Sequence, residues 1–290
     1  MKTMKNLKLS LATLSVVAIA FTSCRKDEKE MLADTTTNQE SEQSELIQND
    51  ADNIADAAMK NDVTNYKMSS GASSSSNSRL SETMDALGGC AILTRTEMDS
   101  LNADTLLVDF GTGCTGHDGR VRKGKIQIIY TGKYWVSGSV RTQTFDGYSV
   151  NDNLVEGTRT ITNNGKNASN QTNWTINAQN MKVTKSDGKT HSWNSVRTRT
   201  ITTGEGTNTI WDDVYEITGT VDGVNAKGVS FSAEITSPLV KEMGCKWLKQ
   251  GVVVIKVNDK PDRTLDYGNG TCDDQATVTV GNKTKTITLK

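Results

Sequence analysis

The feature that most limits what this chain can become is alternation. Ile126, Ile128 and Tyr130 fall at every second position, as do Trp174, Ile176 and Ala178, then Val229, Phe231, Ala233 and Ile235. Successive side chains of a strand point to opposite faces, so a period of two marks strands with one apolar face. The other positions carry Thr, Ser, Asn, Lys and Arg, as in Thr158-Arg-Thr-Ile-Thr162 and Arg197-Thr-Arg-Thr-Ile201. Turn-forming pairs punctuate the runs at Asp118-Gly119, Asp146-Gly147, Asn164-Gly165, Asp187-Gly188 and Asp222-Gly223. The only prolines, Pro238 and Pro261, stand outside the alternating runs. This pattern predicts an all-β fold from residue 89 to 290, an antiparallel meander of about a dozen strands. A flat sheet would leave its apolar face in water, so the meander should form a sandwich or a partly closed barrel.

Ahead of the β region the period changes. Ile47, Ala51, Ile54 and Ala58 recur at steps of four, three and four, which predicts an amphipathic helix over about residues 40–60. Thr37 and Glu40 stand at capping-box spacing before it. A Ser-rich stretch from Ser69 to Ser78 reads as a flexible linker, and Leu80, Met84 and Leu87 add one short helical turn before Gly88-Gly89. Residues 24–88 carry six basic and thirteen acidic side chains, net −7. They read as an acidic tether, its helix docked on its own domain, solvated, or offered to a partner. The remaining β region is only mildly basic, at +3, far from the basic stripe that nucleic acid requires.

The first residues look like a processing segment. Lys2, Lys5 and Lys8 precede an apolar run from Leu9 to Phe21, too short to span a membrane and suited to an export signal covering residues 1–23. The run ends in Phe21-Thr-Ser-Cys24, and here the chain resembles a bacterial lipoprotein precursor, although Phe21 and Ser23 replace the usual Leu and the usual Gly or Ala. The resemblance implies cleavage before Cys24 and acylation of its thiol, with the membrane as partner through that anchor. More than one acyl chain is needed, because a single chain binds a bilayer only marginally. Arg25, in place of Asp, implies sorting to the outer membrane. Lys26-Asp27-Glu28 resembles the surface-export signal of Bacteroidota-type lipoproteins.

With Cys24 assigned to lipid, four cysteines remain, Cys90, Cys114, Cys245 and Cys272, and they allow three pairings. Export and the lack of CxxC or Cys/His spacing favour disulfides over a metal site. An internal echo bears on the pairing. Gly89-Cys90 leads to Asp109-Phe-Gly-Thr-Gly-Cys114, and Gly244-Cys245 leads to Asp266-Tyr-Gly-Asn-Gly-Thr-Cys272. If the two units are structurally equivalent, the bridges are Cys90–Cys114 and Cys245–Cys272. Through GTGCTGHDGRVRKGKI and LDYGNGTCDDQATVTV the β region also resembles uncharacterised Bacteroidota-type lipoproteins, which implies the architecture and no activity.

Candidate chemistry is sparse. Asp266, Asn269, Asp273 and Asp274 form an oxygen-rich turn that would suit calcium, although such residues equally bond their own backbone. Glu156, Asp212, Asp213, Glu216 and Glu234 are the carboxylates from which a glycan hydrolase would draw a pair. No GxSxG elbow, HExxH helix or phosphate-binding turn occurs, so catalytic residues and cofactors are both expected to be none. Trp135, Trp174, Trp193, Trp211 and Trp247 either share an exposed face that stacks on sugar or protein, or serve as core and strand-end residues. His117 and His191 read as surface residues. The expected function is a surface-exposed outer-membrane lipoprotein with a non-catalytic binding or structural β domain, its glycan or protein partner unidentified. A barrel-type carrier of a small hydrophobic ligand is the alternative, and a carboxylate-dependent glycan hydrolase comes third.

Overall fold

Alternating apolar residues do form strands, and hydrogen-bond ladders join all of them into one sheet. The computed structural model describes residues 36–61, 89–96, 103–207, 209–258 and 260–289. Helix α1 (Thr36–Asn61) comes first. The strands are β1 (Ile92–Thr96), β2 (Asp104–Asp109), β3 (Cys114–Thr115), β4 (Val121–Thr131), β5 (Val140–Val150), β6 (Asn153–Lys166) and β7 (Thr172–Thr184). They continue with β8 (Thr190–Thr203), β9 (Val214–Val224), β10 (Ser230–Glu242), β11 (Leu248–Val257), β12 (Arg263–Asn269), β13 (Gln275–Val280) and β14 (Lys283–Thr288). Sequence neighbours are sheet neighbours throughout, apart from the two-residue β3, which pairs β4 and lies off the path. Every ladder described is antiparallel, as the hairpin-length connections require. β1 and β14 are the edges, and among the described residues no ladder joins them. The all-β meander is therefore a single unclosed sheet of fourteen strands.

The sheet curls because its long strands are bent by bulges. At Gly124 in β4 and Gly147 in β5 the register slips, and both residues have positive φ, 73° and 58°. A Cβ on Gly124 would sit 2.2 Å from the Gly147 carbonyl oxygen, so only glycine permits the two backbones to approach there. These bulges correct part of the turn reading. Asp146-Gly147 and Asn164-Gly165 lie at irregularities inside β5 and β6, and Asp222-Gly223 continues the regular β9 ladder. Asp118-Gly119 and Asp187-Gly188 do form turns. Pro238 likewise falls within β10, next to register shifts that spare the ladder its missing N–H.

Helix α1 takes the docked one of its three expected placements. The 26-residue helix brackets the range expected from its apolar stripe, yet it is not part of a tether. From Thr37 to Met59 nearly every side chain is buried, the acidic ones included, and only Gln39 is exposed. Ile47, Ile54, Ala55, Ala57, Ala58 and Met59 join the same core cluster as Ile126, Trp174 and Ile255 of the strands. The curled sheet surrounds the helix, and the division at residue 88 does not hold for residues 36–61. The expected capping box is also replaced: Thr37 Oγ1 accepts from Asn225 Nδ2 at 2.9 Å, and Glu40 Oε2 accepts from the Ala226 amide at 3.0 Å. The Ser-rich linker, the short helical turn before Gly88 and all residues before 36 lie outside the described residues. Among those described, no helix is long and apolar enough to cross a membrane.

Candidate functional site

Strand β8 shows how the inside of the sheet is built. His191, Trp193, Ser195, Arg197, Arg199 and Ile201 share one parity and are all buried, while Val196 between them is 56% exposed. The inner face thus mixes aromatic and aliphatic residues with arginines, and α1 supplies the compensating acids. Glu45 holds Arg197 through both carboxylate oxygens, the two-pronged geometry that a guanidinium fork matches. Asp56 bridges two strands: Oδ1 accepts from Arg141 Nη2 of β5 at 2.7 Å, and Oδ2 from Arg199 Nη1 of β8 at 2.6 Å. Asp52 faces Arg159 of β6 at 2.9 Å, whose other nitrogen donates to Gln143 Oε1 at 2.7 Å. Gln48 Oε1 accepts from Ser195 Oγ at 2.8 Å.

Asp50 is the busiest of these acids. It pairs with Arg122 of β4 through both oxygens and accepts the Tyr148 phenol at 2.7 Å. Asp118, in the turn before β4, takes Arg122 Nη2 at 2.7 Å and Arg120 Nη1 at 2.8 Å. Burial opposes ionising Asp118, but Arg122 and Arg120 overcome it and hold the carboxyl well below the usual range. Burial likewise works against the charge of Arg122, and Asp50 and Asp118 outweigh it, so the guanidinium is held above its ordinary value. The Tyr148 phenol is pushed up, first by burial and then by the negative charge of Asp50.

Two clefts open beside this network. The larger, about 610 Å³, lies between the first half of α1 and the strands β5, β6 and β14, with Glu42, Leu46, Val150, Asn153, Lys285 and Ile287 in its lining. The smaller, about 300 Å³, lies between α1, the turn before β4 and the end of β10, with Asp50, Asp118, Arg120, Arg122, Trp211 and Lys241 in its lining. Lys241 is buried and its Nζ donates to the Cys245 carbonyl oxygen. Burial, then the nearby Arg120, lowers its pKa to about 7.

Residues singled out in the sequence are distributed unevenly over this frame. Cys24, Lys26, Asp27 and Glu28 lie outside the described residues. The bridges are Cys90–Cys114 and Cys245–Cys272, with Cα separations of 5.6 and 5.8 Å. The echoed motifs share local geometry, since Gly111 N donates to Asp109 Oδ1 at 2.8 Å and Gly268 N to Asp266 Oδ1 at 2.9 Å. The turn with Asp266, Asn269, Asp273 and Asp274 uses its oxygens locally: Asp273 takes the Gln275 amide, Asp274 the Gln275 side chain and Asn269 the Thr271 hydroxyl. Among the described residues no group of three His, Cys, Asp or Glu side chains is placed to hold a metal.

The other candidates do not gather into a site. Glu156 faces Lys182 at 2.6 Å, Asp212 accepts from Thr207 and Asp213 accepts the Tyr215 phenol. Glu234 stands opposite Thr220, four residues along β9 from Glu216. That is about 13 Å of strand, beyond the spacing of roughly 5–9.5 Å that glycosidase pairs use. Trp174 and Trp193 are buried and Trp135, Trp211 and Trp247 pack against the core, so the tryptophans form no shared exposed face. His117 is exposed beside Trp211, as expected of a surface residue. His191 corrects the surface reading: it is buried, stacked on Trp193 at 5.5 Å, and among the described residues neither ring nitrogen has a hydrogen-bond partner.

Local pattern did not reveal the arginines of the inner face, although two signals were present. Arg197 and Arg199 share the parity of Trp193 and Ile201, and the acid excess of residues 24–88 mirrors the basic excess of the β region. Compared with known proteins, the chain matches no family model, no curated protein and no solved structure.

Proposed function

We propose that this chain is an exported lipoprotein, acylated at Cys24 and displayed from the outer membrane, whose β domain is a non-catalytic binding or structural module. The observation that carries the reading is the place of α1. The helix begins twelve residues after Cys24 and lies inside the sheet, so at most about 40 Å of chain separates the domain from its anchor. A free stalk running to residue 89 would have allowed roughly 200 Å. Such a domain rides close to the bilayer, and the charged Arg25–Glu30 segment falls in the short connection. The two oxidised cysteine pairs support an exported destination. α1 also fills the space that a carrier barrel would keep for a hydrophobic ligand, and it lines that space with paired charges, which favours the module over the carrier.

Labelling with a fatty-acid analogue tests the anchor. The natural chain should take the label, and Cys24→Ala should not; equal labelling would sink the proposal. Protease added to intact cells tests display: replacing Lys26, Asp27 and Glu28 with Ala should protect the domain, and unchanged cleavage would count against the signal.

A further inference from the structure

The smaller cleft holds an imbalance of charge. Its lining includes Arg120 and Arg122 from the segment entering β4, Lys241 from β10 and Lys246 beyond it, against Asp50 of α1 and Asp118 of the turn. Both carboxylates are already engaged by the two arginines, with Asp50 also receiving Tyr148. The Lys246 ammonium lies over the Trp247 ring, 4.6 Å from its centroid. Among the described residues neither Lys241 nor Lys246 pairs with a carboxylate, and Lys241 is the buried one, 4% exposed, with one backbone carbonyl accepting from its three N–H bonds. An unpaired buried cation is costly, and an anion entering the cleft would remove that cost. The wall adds Trp211, whose ring lies 5.4 Å from that of His117, and about 300 Å³ is room for one ring-sized molecule.

We propose that this cleft binds a small organic oxyanion, a carboxylate, sulfate or phosphate group on a ring-sized body, with Lys241 as the cation that meets it. Arg120 and Arg122 supply the surrounding positive field while staying bound to Asp50 and Asp118, and Trp211 offers a face to the body of the ligand. Binding should follow the charge of Lys241. The groups facing it are Arg120, Asp118, Asp50 and Arg199, and burial with Arg120 lowers its pKa to about 7, so the empty site loses its proton as the pH rises above neutrality. The inference does not depend on where the protein is displayed.

The test is calorimetric titration of the full, oxidised protein with inorganic phosphate, glucuronate and glucose, at about pH 6 and about pH 9. Phosphate and glucuronate should bind at the lower pH and several-fold more weakly at the higher, and glucose should not bind. Lys241→Met should weaken both anions by about tenfold or more, as expected for losing a charge-assisted contact. Lys189→Met removes the same charge from an exposed side chain outside the cleft and should leave binding unchanged. His117→Gln should leave the pH dependence in place. Equal binding by Lys241→Met, glucose binding as well as glucuronate, or no saturable anion binding at tens of millimolar would each overturn the proposal. A measurement on the natural protein guards against misfolding of the variant: saturating phosphate should raise the pKa of Lys241 followed by NMR, and an unmoved pKa would overturn it as well.

Discussion

Replacing Asp56 by alanine should be among the most damaging single changes in this protein. Its side chain is 1% exposed, and its two oxygens meet Arg141 at 2.7 Å and Arg199 at 2.6 Å, themselves 5% and 2% exposed. The substitution removes two ion pairs and strands two guanidiniums inside the sheet. Arg141 then keeps the Met59 sulfur at 3.9 Å and the Tyr134 ring at 5.1 Å, and Arg199 keeps the Tyr215 ring at 3.5 Å, so that Asp52 is the negative charge left acting on both. Breaking a buried pair this way costs about 3–5 kcal/mol, a large part of the stability of an ordinary domain. The exposed pair Lys189–Asp187, at 2.6 Å with side chains 65% and 50% exposed, provides the contrast. Asp187→Ala should leave the unfolding midpoint nearly unchanged, because solvent screens this pair. Equilibrium urea unfolding of the oxidised protein, with both variants under one buffer, measures the difference. Replacing Asp56, Arg141 and Arg199 together by apolar residues of similar size should recover much of the loss, because the cost lies in the unpaired charge. A loss below about 1 kcal/mol for Asp56→Ala would refute the claim that α1 is enclosed by the sheet.

Three further changes probe other parts of the fold. His191 is buried with its pKa lowered from 6.5 to about 4, so the unfolded chain takes up this proton first as the solution is acidified. At about 1.4 kcal/mol per pH unit, roughly 3 kcal/mol of stability should be lost between about pH 6.5 and pH 4, and His191→Phe should remove that part of the acid slope. Gly124→Ala would place a Cβ 2.2 Å from the Gly147 oxygen at φ +73°, and should cost about 2 kcal/mol or more in thermal unfolding. Gly138→Ala, at φ +84° with nothing within 4 Å, should cost clearly less. Cys245→Ser with Cys272→Ser opens a bridge of sequence separation 27 and should lower stability by about 3 kcal/mol. Mass spectrometry of that variant should still recover the Cys90–Cys114 peptide, and loss of that bridge would show that the two staples are coupled.

Much of this architecture could be read locally. The period-two runs around Ile126, Trp174 and Phe231 became strands, because alternation is a property of one strand and needs no partner to be recognised. The Ile47-to-Ala58 stripe became a helix for the same reason. The repeated Gly-Cys and Asp-aromatic-Gly motifs, each a local unit, matched the two bridges. Turn pairs were less dependable. Asp146-Gly147 marks a bulge, since glycine with positive φ serves a kink within a strand as well as a hairpin end.

The environment of the charges was beyond local reading. An acidic helix can be docked, solvated or offered to a partner, and its own pattern does not choose, because exposure is the usual state of Asp and Glu. Whether Asp50 meets water or Arg122 depends on a contact 72 residues away in sequence, and Glu45 meets Arg197 across 152. The chain's own pattern determined the strands, the helix, the bridges and the excess of acid before residue 88. Only the curling of the sheet decided that the acid would lie inside, since curling brings arginines from β4, β5, β6 and β8 around one helix and makes pairing, rather than water, the partner of each charge.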